Sequence, residues 1–104
     1  MVTSKNKEII DKVKKYSELL KTKYTNLNVY LFGSQVTNSA DGDSDIDVAV
    51  ISDSITSDVI EETFKLMKLR REIDLRIEPH PFSQESFKDD PFSKEILKTG
   101  IKIL

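Results

Sequence analysis

Residues 31–51 read "LFGSQVTNSADGDSDIDVAVI" and place aspartates at every second position: Asp41, Asp43, Asp45 and Asp47. No Lys or Arg lies between Asp41 and Glu62. The last two aspartates fall in "SDIDVAVI" (44–51), which otherwise reads as a buried strand. A strand period of two puts Ile46, Val48 and Val50 on one face, and Asp45, Asp47, Ala49 and Ile51 on the other. The Cα atoms of Asp45 and Asp47 should then be about 6.6 Å apart, so both carboxylates can lean toward one point. Unneutralised, they would repel, and each would cost several kcal/mol to desolvate. A divalent cation removes both penalties. Carboxylate oxygens favour a hard ion, Mg²⁺, with Mn²⁺ as the alternative.

The flanking segments supply a scaffold for this strand. Residues 5–23 read as an amphipathic helix, with Ile9, Ile10, Val13, Tyr16 and Leu20 at three- and four-residue steps and Thr3 or Ser4 as its cap. "VYLF" (29–32) is a short β-branched and aromatic strand ended by Gly33-Ser34, and 35–43 form a loop or short helical turn. Residues 57–70 read as a second helix, capped by Ser57, with Ile60, Phe64 and Met67 facing inward. "EIDLRIE" (72–78) alternates as a third strand, which "PHP" (79–81) should stop. A helical turn at 83–89, a helix in "PFSKEILKTG" (91–100) and a short strand in "IKIL" complete the chain, with Phe82, Phe87 and Phe92 expected in the core. The order predicts an α/β (α+β) fold, a small mixed sheet flanked by helices, in a single domain spanning 1–104.

Composition narrows the class of protein. Apolar residues make up 38% and charged residues 33% of 104, which suits one solvated globular core. A net charge of −2 argues against general nucleic-acid binding. The chain has no cysteine, which excludes disulfides and thiolate metal sites. With no signal-peptide pattern and no apolar run near the roughly 20 residues of a membrane span, a cytoplasmic location is expected. Seven lysines in residues 1–24 read as the solvated face of the first helix. Asp41 and Asp43 read as exposed turn residues, and His80, the only histidine, as a solvated loop residue. A calcium-binding EF-hand loop starting at Asp41 fails, since Ile46 falls where the turn glycine belongs and Ser52 where the bidentate Glu belongs.

A third carboxylate, Asp74, sits within "EIDLRIE". If that strand neighbours 44–51, Asp45, Asp47 and Asp74 can hold two metal ions about 3.5–4 Å apart, an arrangement suited to in-line phosphoryl or nucleotidyl displacement. The third acid could also serve as general base. Gly33-Ser34 suits the same scheme, because Gly lets backbone N–H groups approach an anion and Ser adds a donor. A helix starting near Gln35 would add favourable dipole.

These residues resemble the signature of nucleotidyltransferases with the DNA polymerase β fold: Gly-Ser, ten residues, then Asp-x-Asp. Within that group the chain is most similar to the minimal nucleotidyltransferases (MNT), and the resemblance covers residues 5–104. It implies a polymerase β-like core, ATP as substrate bound at Gly33 and Ser34, and Mg²⁺ held by Asp45, Asp47 and Asp74 as the catalytic acids. It also implies AMP transfer to a hydroxyl, and pairing with a helical HEPN-type toxin whose tyrosine is the acceptor, the minimal protein being the antitoxin. A binding module that masks such a partner without catalysis is the alternative. Transfer to a small molecule would need two subunits sharing one site, a homo-oligomer. The chain departs from the family's basic turn: "GSQVTN" carries Gln35 and Asn38 where "GSRARG" has Arg and Gly.

Overall fold

The computed structural model describes residues 4–37 and 45–104. The element order is α1 (Ser4–Lys21), β1 (Asn28–Phe32), α2 (Ser34–Thr37), β2 (Ile46–Ile51), α3 (Val59–Leu69), a 3₁₀ turn (Arg70–Glu72), β3 (Ile77–Phe82), α4 (Gln84–Asp89), α5 (Ser93–Thr99) and β4 (Ile101–Lys102). The four strands form one mixed sheet in the order β3-β2-β1-β4. β1 runs antiparallel to β2 and β4, and β2 runs parallel to β3. The expected α+β class and mixed sheet are therefore what the chain adopts. Asp41 and Asp43 lie outside the described residues, as does Thr3.

The two faces read from "SDIDVAVI" separate two apolar layers. On one, Val29, Leu31, Ile46, Val48, Val50 and Ile77 pack under Ile9, Val13, Tyr16 and Leu20 of α1 and Leu66 of α3. On the other, Phe32, Ala49 and Ile51 meet Phe87 of α4 and Ile96 of α5. Tyr16 is fully buried, and its hydroxyl donates to the Leu66 carbonyl at 2.7 Å, which ties α1 to α3. Burial pushes that phenol's pKa upward, so it serves as a neutral donor.

Three expectations need correction. First, α3 is turned relative to the apolar stripe read for it. Ile60 and Phe64 are 73% and 62% exposed, while Glu62 and Leu66 face inward. Glu62 occupies an inner position because its carboxylate accepts the Thr56 backbone N–H at 2.6 Å. A charged residue on the buried face hid the true phase of the helix. Asp58 rather than Ser57 caps this helix, accepting from the Glu61 N–H at 3.1 Å. Second, Phe82 is partly buried and Phe87 is core, but Phe92 is half exposed.

Third, the last long strand starts five residues later than the alternation at 72–78 suggested and runs through "PHP". The Arg76 carbonyl accepts from Ile46 N–H, and the Phe82 carbonyl accepts from Ser52 N–H. Even-numbered residues of β3 therefore bond to β2, and odd-numbered ones face the free edge. Pro79 and Pro81 are both odd, so their missing N–H groups fall where no ladder bond is required. Prolines there also blunt the edge against pairing with another chain. At Ile77 the outward carbonyl is satisfied by the Arg70 guanidinium at 2.8 Å. Asp74 precedes this strand, in the turn that follows the 3₁₀ segment.

Candidate active site

The site forms where β1, β2 and β3 end or begin on the α4/α5 face of the sheet. Phe32 and Asp47 are register partners across β1 and β2, so Gly33 stands directly beside Asp47. Gly33 has φ +79°, a left-handed conformation that a side chain disfavours, and a Cβ there would collide with the Asp47 carboxylate. Glycine is thus required both by the turn and by the acid next to it. Gly33→Ala should cost about 1–2 kcal/mol in urea denaturation and should move the Asp47 side chain, lowering any activity that depends on it.

Ser34 opens α2, and its side chain lies outside the described part of the structure. α2 is one turn long, too short for the helix dipole expected near Gln35 to contribute much. Gln35 itself is buried, and its Nε2 donates to the Asp45 carbonyl at 3.2 Å. The residue that departs from the family's arginine therefore anchors the start of β2.

Asp45 is exposed just before β2, and Asp47 is partly buried on it. Across the parallel ladder, Asp47 registers with Glu78 and Ala49 with His80. Register partners share a face, so β3 delivers Glu78 and His80 to the same surface as the aspartates. Ligand atoms of Asp47, Glu78 and His80 all lie within 4.8 Å of one another. His80 Nε2 is 3.2 Å from Asp47 Oδ1. The ring is held by Phe32, with centroids 5.2 Å apart.

Glu78 is exposed as a residue, yet its carboxyl is partly desolvated, hydrogen-bonded to Asp45 and faced by the charge of Asp47. In that order, these effects raise its pKa from 4.5. Three carboxyl groups thus converge and crowd their negative charge. This donor set fits a divalent cation: carboxylate oxygens from two strands, mutually repelling, with solvent access.

Asp74 is elsewhere engaged. Its carboxylate accepts from Lys12 Nζ at 2.8 Å, from the Arg76 backbone N–H at 2.8 Å and from the Arg76 guanidinium at 2.9 and 3.1 Å. The Arg76 bonds, opposed by burial and reinforced by Lys12, hold its carboxyl well below the usual carboxylate range. Its side chain is 11% exposed and its partners are two bases, so Asp74 joins α1 to the entry of β3. The third acid beside Asp45 and Asp47 is Glu78.

Sequence reasoning missed His80 because it ended the strand at Pro79, and it passed over Glu78, the last residue of that expected strand, because it took Asp74 as the acid facing Asp45 and Asp47. The available signal was the proline spacing: two prolines two apart lie on the same edge, which leaves Glu78 and His80 together on one face. A cavity of about 580 Å³ lies beside Asp45, Glu78 and His80, with Arg70, Arg76 and Thr63 of α3 also in its walls; Asp47 is not part of its lining. That volume is within the range of small-molecule sites.

The nucleotidyltransferase domain family matches residues 13–103, and the chain belongs to that family. Among solved structures, a Sulfolobus solfataricus protein assigned as a nucleotidyltransferase is similar at a TM-score of 0.66 and 17% identity, over 93% of this chain and 80% of that one. A toxin–antitoxin structure with AMP-PNP is similar at 0.63 and 23% identity, over 91% of this chain and 72% of that one. Both likenesses concern the fold. No curated protein matches the chain in sequence.

Proposed function

We propose that this nucleotidyltransferase transfers AMP from ATP to a hydroxyl group, using a divalent cation held by Asp45, Asp47 and Glu78. The observation that carries this reading is the pairing of Asp47 with Glu78 across β2 and β3, beside a glycine whose missing side chain leaves room for the Asp47 carboxylate. The cation, Mg²⁺ or Mn²⁺, would supply charge neutralisation for the triphosphate and for the developing alkoxide. Gly33, lacking a side chain, allows triphosphate oxygens to approach the backbone next to the acids. Glu78 takes the proton of the acceptor hydroxyl. The new oxygen–phosphorus bond forms at the α-phosphate, the bond to the bridging α–β oxygen breaks, and pyrophosphate leaves.

The acceptor is read as a tyrosine of a helical, HEPN-type toxin, with this chain as the antitoxin. The likeness to a toxin–antitoxin structure holding an ATP analogue supports this reading. So does the exposed apolar row Val59, Ile60 and Phe64 on α3, beside the cavity, since a protein acceptor needs an apolar docking face. The lack of a basic residue at Gln35, Val36 and Thr37 favours a second reading, in which the chain masks its partner without catalysis.

Incubating the protein with labelled ATP, Mg²⁺ and a HEPN-type partner separates the two. Label should pass to the partner and be lost with Asp47→Asn, which keeps the fold because it removes a crowded charge. Partner binding without label transfer would leave only the masking role.

A further inference from the structure

We propose that His80 is a direct nitrogen ligand in the cation site, and that it makes the site prefer Mn²⁺ or Co²⁺ to Mg²⁺. This rests on the reading of Asp45, Asp47 and Glu78 as cation-binding acids and goes beyond it. An all-carboxylate set separates transition ions from Mg²⁺ less strongly than a set that includes nitrogen. One imidazole changes that, because borderline ions gain from nitrogen donors while Mg²⁺ favours oxygen.

Three features place His80 for this role. It lies two residues beyond Glu78 on β3, on the same face, and the residue opposite it on β2 is Ala49. A methyl group there leaves room for the ring to lean along the sheet toward Asp47. The Phe32 ring holds the imidazole at a 60° tilt, which limits its rotation. The 3.2 Å between His80 Nε2 and Asp47 Oδ1 matches the separation of adjacent ligands on one ion. Two donors at right angles, each about 2.2 Å from a shared cation, are about 3.1 Å apart. Without a cation the same distance accommodates a hydrogen bond, so the pair is preorganised in either state.

His80 is the only histidine in the chain, so an imidazole signal from a bound ion has one source. The test uses untagged full-length protein without nucleotide, loaded with Mn²⁺ alone. Pulsed electron paramagnetic resonance should show modulation from a directly bound imidazole nitrogen, and His80→Ala should abolish it. By titration, the Mn²⁺ to Mg²⁺ affinity ratio should fall about tenfold in His80→Ala and His80→Gln, mostly through weaker Mn²⁺ binding. Bound Mn²⁺ with no nitrogen modulation in the unmodified protein, or a ratio unchanged in both variants, would overturn the role of His80 while leaving the carboxylate site standing. Failure of the unmodified protein to bind any divalent ion would overturn both. The unmodified protein's spectrum decides the matter even if a variant fails to fold.

Discussion

Glu78→Gln should reduce nucleotidyl transfer by about 10²–10³-fold or more while making the cation-free protein more stable. The first effect follows from its place beside Asp45 and Asp47: the glutamine keeps the shape but loses the charge that neutralises the cation and takes the acceptor's proton. Groups that act chiefly on the transition state carry effects of that size. The second follows from crowding. Partial desolvation, the shared hydrogen bond with Asp45 and the charge of Asp47 raise the Glu78 pKa above 4.5 in the folded protein. Its favourable contribution is therefore present below the unfolded pKa and is lost as pH rises through the folded one. At neutral pH the ionised side chain opposes folding, and glutamine removes that opposition. Thermal melts in chelator should place Glu78→Gln above the unmodified protein at pH 7, with the gap closing toward pH 4. A variant that keeps full transfer activity would remove Glu78 from the site.

Asp74→Ala should do the reverse, lowering stability by about 2–3 kcal/mol while leaving divalent-ion affinity unchanged. The carboxylate ties two separate parts of the chain, Lys12 on α1 and Arg76, which it holds through both the backbone N–H and the guanidinium. It is nearly buried, so its charge-assisted bonds are worth more than those of a surface pair. For a chain of this length, such a loss lowers the melting temperature by about 10 °C or more. The pH dependence has the opposite sign to that of Glu78. The Asp74 pKa lies below its ordinary 3.8 in the folded state, so its stabilisation is present above 3.8 and is lost as pH falls through the folded value. Asp74→Ala should therefore flatten the acid limb of the stability profile. Loss of ion binding with the fold intact would instead restore Asp74 as a ligand.

The contrast between these two acids marks what the sequence could reveal. β2 was legible because its alternation is uninterrupted and its two faces differ sharply in polarity: Val48 and Val50 against Asp45 and Asp47. Gly33 was legible as well, from a glycine closing a short apolar strand. β3 was not, because proline normally argues against a strand, and it is the hydrogen-bond phase with β2 that puts Pro79 and Pro81 on the free edge. Alternation at 72–78 was equally persuasive and misleading, since Asp74 there serves a turn held by Arg76. α3 misled for a related reason. Its inner face includes Glu62, whose burial depends on a backbone N–H that comes from a loop. Periodicity reports where apolar residues fall, while these positions are decided by hydrogen bonds to backbone N–H groups of the adjoining loop and turn.

A crystal grown with Mn²⁺ and a non-hydrolysable ATP analogue bears most directly on the reading of the site. Anomalous density should lie among the carboxylates of Asp45, Asp47 and Glu78, with the triphosphate against Gly33. Manganese bound at Asp74, or nucleotide bound with no ion near Asp47, would contradict it.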